Sequence, residues 1–184
     1  MTSFKYLQHV TIGKVKTNQP IKLVDYDSTW PQKFAQEEKI IKQALGKTAL
    51  KIEHVGSTSI TGLAAKPIID ILLIISDPAD EAAYLPQLEQ VGLFLRIREP
   101  EQEEHRMLID QDEQFHVHVY GPDSKEAHDL LAFRDWLRSN PADRLKYQQT
   151  KQELAQKTWT TVQEYADAKG PVIAEIKRHI DQNS

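Results

Sequence analysis

The sequence predicts an α+β domain: a mixed β-sheet flanked by helices, closed by a helical C-terminal third. Three observations predict it. The most apolar run, Ile68 to Ile75, is eight residues long and carries Asp70, too short for a membrane span and suited to a buried strand. Three further strand-like runs crowd between residues 93 and 120. From Ser124 onward, helical spacing replaces strand alternation.

The elements follow in chain order. Residues 1–20 read as an N-terminal arm with strand character, ending in the turn-prone Thr17-Asn18-Gln19-Pro20, and residues 21–184 as the domain proper. Ile21 to Tyr26 reads as a short strand. A helix then starts, with Thr29 as N-cap, Pro31 in the first turn and Gln32 three residues past the cap. Phe34, Ile40, Ile41, Ala44 and Leu45 supply its apolar stripe, and Gly46 ends it. Leu50 to Val55 is a strand stopping at Gly56, Ser57 to Ala65 a turn or two of helix, and Lys66-Pro67 a break before the central strand Ile68 to Ile75. Pro78 and Asp80 open a helix through Ala82, Leu85, Leu88 and Val91 that stops at Gly92. Strands follow at Leu93 to Arg98, His105 to Asp110 and Gln114 to Tyr120. Leu130, Leu131, Phe133, Trp136 and Leu137 populate the next helix. Asn140-Pro141 is an N-cap followed by proline at the first helical position. Breaks near Thr158 to Thr161 and at Gly170-Pro171 divide the tail.

Composition limits the function classes. In 184 residues, 40% hydrophobic and 27% charged, there is no cysteine, which excludes disulfides, zinc–thiolate sites and cysteine nucleophiles. The first residues lack the apolar block of a signal peptide, so the expected location is cytoplasmic, without a membrane partner. A net charge of −4 provides no broad nucleic-acid surface. An anionic ligand must therefore be met locally.

The segment that carries chemistry is His54-Val55-Gly56-Ser57-Thr58-Ser59, followed by Lys66-Pro67-Ile68-Ile69-Asp70. A strand that ends in Gly-Ser and feeds a helix start suits phosphate, because glycine admits close approach while backbone N–H groups and the hydroxyl donate. Asp70, inside an apolar strand, needs a counter-charge, and a divalent cation is one candidate. The plainer reading is a turn with Asp70 paired to Lys66. On the run Phe115 to Tyr120, His116, His118 and Tyr120 share one face. With Asp70 the two histidines form a two-His-one-carboxylate set of the kind that holds iron, manganese or zinc; hydrogen-bonded structural histidines are the alternative.

The stretch HVGSTSITGLAAKPIID, His54 to Asp70, resembles the signature of the GrpB (glutamate-rich protein) family. The likeness extends through Asp25-Tyr26-Asp27, Trp30-Pro31, Glu99, His105-Arg106, His116 to Val119, Leu131 to Arg138, Tyr147, Lys151, Tyr165 and Lys169. It leaves aside only the N-terminal arm. Most members of that family carry proline where this chain has Thr61.

The resemblance implies a nucleotidyltransferase (DNA polymerase β-like) fold. Gly56 and Ser57 match that superfamily's Gly-Ser turn, and Asp70 matches its first strand carboxylate. The second carboxylate belongs at position 72, on the same strand face, where this chain has Leu72. Asp70 is then the catalytic and metal residue, with His116 and His118 as candidate replacement ligands for a divalent ion, magnesium or manganese. Gly56, Ser57, Lys66, Arg106 and Arg134 are the candidate phosphate contacts; Arg98 is a further candidate cation. An ion pair with Asp135 or a neighbouring acid is the plainer role for Arg134. His54, Thr58, His105, Tyr147, Lys151 and Lys169 match family positions without a distinctive local chemistry. The implied activity is transfer of a nucleotidyl group from a nucleoside triphosphate. The alternatives are a catalytically degenerate ligand-binding or partner-stabilising module, and a metal-dependent hydrolase using Asp70, His116 and His118. The expected partner is a nucleotide or another phosphate-bearing small molecule.

Overall fold

Strand alternation decides how the sheet is layered. In the computed structural model, which describes residues 2–183, the strands are β1 (Lys51–Val55), β2 (Ile69–Ile74), β3 (Phe94–Glu99), β4 (His105–Ile109) and β5 (Phe115–Tyr120). Their spatial order is β1-β2-β5-β4-β3, with only the β2–β5 pair parallel. The sheet is therefore mixed. Its middle strand is β5; the apolar run that sequence placed centrally lies one strand from the edge.

Seven helices surround the sheet among the described residues: α1 (Phe4–Val10), α2 (Trp30–Leu45), α3 (Leu85–Gln90), α4 (Lys125–Ser139), α5 (Pro141–Ala155), α6 (Val162–Ala168) and α7 (Gly170–Gln182). Gly46, at φ +55°, ends α2. The Asn140 side chain caps α5 by accepting from Asp143 N–H, with Pro141 in the first turn. Thr29 stands at the start of α2 but makes no side-chain cap; instead Asp27 Oδ1 accepts from Thr29 N–H at 2.8 Å.

One sheet face forms the main core. Ile69, Ile71 and Leu73 of β2, Val117 and Val119 of β5 and Leu108 of β4 pack with Trp30, Ile41 and Leu45 of α2 and with Leu88 of α3. Fully burying one such aliphatic side chain contributes about 1.5–3 kcal/mol. The opposite face is divided. Val55, Leu72, Ile74 and Tyr120 pack on Ala127, Leu130 and Leu131 of α4, while Asp70, His116 and His118 remain outside that cluster. A third cluster, Ile60, Leu63, Leu137, Tyr147, Val172 and Ile176, fastens the segment after Ser57 to α4, α5 and α7.

Three sequence expectations change. The arm contains helix α1 rather than a strand, because the Ser3 hydroxyl accepts from Tyr6 N–H as a cap, and Leu7 and Val10, one turn apart, are both buried. Its strand character is confined to the single bridge between Thr11 and Ile97, with Arg96 donating to the carbonyls of Ile12 and Lys14. Ile21 to Tyr26 likewise contributes only the Val24–Ala65 bridge, since Ala65 lies in irregular chain outside the sheet's strands. The segment after Gly56 is a single 3-10 turn, Ser57–Ser59, so no α-helix N-terminus faces a ligand there.

Candidate functional site

The site begins where β1 ends. Val55 stands opposite Asp70 in the β1–β2 register, so the residue after Val55 must pass beside the aspartate. Gly56 does so at φ +67°, and a Cβ there would stand 2.9 Å from Asp70 Cβ and Cγ and overlap the carboxylate. Only glycine fits this close approach. The turn is then stitched from both sides. Ser59 Oγ donates to Gly56 O at 2.6 Å and Thr58 Oγ1 donates to Ile68 O at 3.1 Å. Since the Thr58 hydroxyl proton is thereby used, His54 Nε2 donates to Thr58 Oγ1 at 3.0 Å. His54 also stacks on Phe34 of α2, and burial pulls its pKa to about 4. His54 and Thr58 are thus braces of the loop, on the core side of β1.

Three lysines converge on the other side of the turn. Lys151 of α5, only 2% exposed, donates to Ser57 Oγ at 3.0 Å and to Ala64 O at 2.6 Å. Burial pushes its pKa down to about 7, and the positive charges of Lys169 and Lys66 add to the effect. Lys66 and Lys169 are also held below the ordinary lysine value, chiefly by burial, with Asp70 opposing the shift. The Lys151 and Lys169 ammonium groups lie 5.0 and 5.1 Å from the ring centroids of Tyr147 and Tyr165. Among the described residues, no carboxylate forms an ion pair with any of these three lysines. Ser57, Asp70 and all three line one cavity of about 380 Å³, together with His116 and His118. A second cavity, of about 260 Å³, adjoins it through Gly56, Ser57, Asp70 and Lys169.

Asp70 forms the third side. His118 Nε2 lies 3.4 Å and His116 Nδ1 3.9 Å from its Oδ1, and one ligand atom from each of the three residues falls within 4.8 Å of the others. Burial works against ionising Asp70. The hydrogen bond and charge of His118, with the charges of His116 and Lys66, nevertheless hold its carboxyl below the usual carboxylate range. Burial also lowers the pKa of His116, which favours the neutral imidazole that metals bind. Two ligand atoms about 2.1 Å from one ion at the tetrahedral angle are about 3.4 Å apart. The three side chains fit a divalent ion in donor type and spacing.

Position 72 explains why no second carboxylate joins them. Leu72 is 0% exposed and belongs to the cluster beneath α4. Glu53, opposite it in the β1–β2 register, is held by Arg134 at 2.8 Å and Lys51 at 3.3 Å.

The expected arginine contacts are corrected. Arg106 neighbours His105 on β4 and so points to the opposite face, where it binds Glu81 at 2.6 Å and Glu104 at 3.2 Å. Arg98 also binds Glu81, at 2.6 Å. Arg134 borders the smaller cavity, but its guanidinium is engaged by Glu53 and Asp135, both at 2.8 Å. The cationic lining comes instead from Lys151 and Lys169, family positions to which sequence gave no chemistry, and from Lys66. The signal for them is a lysine one turn after a tyrosine, Tyr147/Lys151 and Tyr165/Lys169; the shared face of the second pair is legible in the sequence but by itself assigns no chemistry.

Comparison with known proteins places this geometry in a lineage. The family described as GrpB protein matches residues 20–179. A UPF0157 protein of Halalkalibacterium halodurans is 50% identical over 94% of this chain and 89% of its own length. A crystal structure of the conserved protein GrpB from Enterococcus faecalis superimposes with a TM-score of 0.77 at 32% identity, covering 88% of this chain and 98% of that one. A dephospho-CoA kinase of Mycobacterium bovis is 27% identical over 83% of this chain, a match spanning 44% of that protein.

Proposed function

This chain belongs to the GrpB protein family, and from that premise we propose that it binds a nucleoside triphosphate at the Ser57–Asp70 corner and transfers its nucleotidyl group with a divalent ion. The observation that carries the reading is the cavity shared by Ser57, Asp70 and three lysines, none of them in an ion pair with a carboxylate among the described residues. Gathering one buried and two half-buried ammonium groups around one cavity is unfavourable unless an anion completes the site. A triphosphate supplies that charge in a length that spans such a cluster.

The roles follow from position. Lys66, Lys151 and Lys169 balance the phosphate charge, and the Ser57 hydroxyl donates to a phosphate oxygen. The turn at Gly56 brings those donors beside Asp70. Asp70, His116 and His118 would hold a divalent ion, magnesium or manganese, which supplies charge stabilisation at the reacting phosphoryl group. In the transfer, an acceptor oxygen or nitrogen bonds to the α-phosphorus, the bond to the bridging oxygen breaks and pyrophosphate leaves. Tyr147 and Tyr165 shield the lysines from water.

Leu72 favours a second reading, a ligand-binding or partner-stabilising module that kept the fold. The match within a protein named dephospho-CoA kinase is consistent with it. Metal-dependent hydrolysis is a third reading that uses the same three ligands. One experiment separates them: incubation with each nucleoside triphosphate, manganese and a panel of acceptors, with phosphorus products resolved. Pyrophosphate release abolished in Asp70→Asn is the expected result. Inorganic phosphate alone selects hydrolysis, and binding without turnover selects the module.

A further inference from the structure

The sheet face that carries Asp70 continues past the corner and changes character. In the strand registers Asp70 stands opposite His116, His116 and His118 opposite Ile109 and Met107, and Met107 opposite Ile97. The face thus passes from titratable groups on β2 and β5 to aliphatic side chains on β4 and β3. His105, on the same face of β4, is taken up by His118 Nδ1 at 3.2 Å and Glu99 Oε2 at 2.7 Å.

Helix α4 packs at the Leu72 and Tyr120 end of this face, and the N-terminal arm roofs the aliphatic end. The arm is fixed at three places. Ile12 N–H donates to Arg96 O at 2.8 Å, Lys16 pairs with Glu113 at 2.8 Å before β5, and Asn18 N–H donates to Thr160 O at 2.8 Å before α6. Between arm, sheet and α6 a cavity of about 650 Å³ remains. Leu7 and Val15 of the arm, Ile97, Met107 and Ile109 of the sheet and Val162 of α6 give it an apolar lining. That size and lining suit a small molecule.

This cavity shares Lys66, Ile68, His116, His118 and Ala166 with the cavity of the Ser57 corner. Strand order sets the two on opposite flanks of Asp70 and the histidines: Ser57 follows the edge strand β1, whereas Met107 and Ile97 lie on β4 and β3. In-line displacement at phosphorus needs the attacking and leaving oxygens on opposite sides. With the phosphates held on the Ser57 flank, the incoming oxygen arrives from the arm flank.

We propose that the arm cavity is the acceptor subsite and that the acceptor is an alcohol with an apolar body, its hydroxyl directed past His116 and His118 toward the corner. The assignment deepens the nucleotidyl-transfer reading and rests on it for the reaction, although binding of the alcohol does not. The aliphatic lining selects the body. At the shared wall the Lys66 ammonium opposes a cationic end and admits a neutral hydroxyl. In the transfer, the alcohol oxygen bonds to the α-phosphorus and the bond from that phosphorus to the bridging oxygen breaks. Pyrophosphate leaves carrying the hydroxyl proton.

The chain has two methionines, Met1 and Met107. Isotope labelling of methionine methyl groups in the full chain therefore gives one reporter on the cavity floor, identified by its loss in Met107→Leu. Titration with n-octanol is expected to shift the Met107 signal saturably, while glycerol leaves it in place. Val15→Trp, which fills the cavity from the arm, is expected to lose the shift, and Val162→Trp fills it independently from α6. A Met107 signal that n-octanol does not move overturns the subsite. So does a shift that persists in both variants when circular dichroism shows them folded. Tighter binding of n-octylamine than of n-octanol overturns the alcohol assignment. A non-hydrolysable nucleoside triphosphate, added with manganese, is expected to bind alongside n-octanol; competition between them overturns the acceptor role. An n-octanol shift without any triphosphate binding supports the alcohol site and sinks the nucleotidyl-transfer reading instead.

Discussion

The two faces of the β2–β5 strand pair hold opposite chemistries within single strands. Ile69, Ile71, Leu73, Val117 and Val119 point into an apolar core under α2 and α3. Asp70, His116 and His118, interleaved with them, point toward lysines and a cavity. Packing alone accounts for the first face. The second gathers half-buried titratable groups around that cavity, the pattern that marks a candidate functional site. Leu72 marks the border, on the site's face but built into an apolar cluster.

That contrast can be broken at its border first. Leu72→Asp, which supplies the missing second carboxylate, is expected to destabilise by on the order of 4 kcal/mol in urea unfolding, because it buries an uncompensated charge. A folded variant of near-native stability would show that the border is soft. On the core face, Ile71→Ala is expected to cost about 2–5 kcal/mol through lost burial and a cavity, without altering triphosphate affinity of the folded protein.

On the site's face the sign should reverse. Lys151→Met keeps the stem and removes the buried ammonium, so at neutral pH it should raise stability by on the order of 1 kcal/mol while lowering triphosphate affinity at least tenfold (roughly the worth of a charge-assisted hydrogen bond). The wild type adds a pH test. Its Lys151 pKa of about 7 lies below the ordinary 10.5, so between those values the folded chain binds fewer protons than the unfolded one. The lysine's contribution to stability therefore rises with pH across that window, while affinity for an anion falls as the ammonium is lost. Lys151→Met should flatten both slopes; parallel slopes in the variant would remove Lys151 from the account.

The smallest expected effect belongs to His54. Its folded pKa of about 4 lies below the ordinary 6.5, so its contribution to stability falls as pH drops from 6.5 toward 4. His54→Gln should reduce that slope in denaturant titrations. An unchanged slope would assign the acid sensitivity to other groups.

Period-two alternation made the sheet and half of the site legible. Gly56, Ser57 and Asp70 lie within fifteen residues, and His116 and His118 share a strand face by parity alone. The same parity separates Arg106 from His105, so the two cannot serve one face. Lys151 and Lys169 were opaque for a different reason: their roles depend on how α5 and the α6–α7 junction dock on the Ser57 turn, 94 residues earlier for Lys151. Helix α1 was hidden by its brevity, and its cap, Ser3, is a single local cue.

Calorimetric titration of a non-hydrolysable nucleoside triphosphate into the wild type and Asp70→Asn, each with and without manganese, tests the Ser57–Asp70 corner most directly. The expected result is binding that manganese strengthens at least tenfold in the wild type, with the manganese effect lost in Asp70→Asn while both proteins remain folded. Binding of equal strength in all four titrations, or in none, would contradict a triphosphate-and-metal site at that corner.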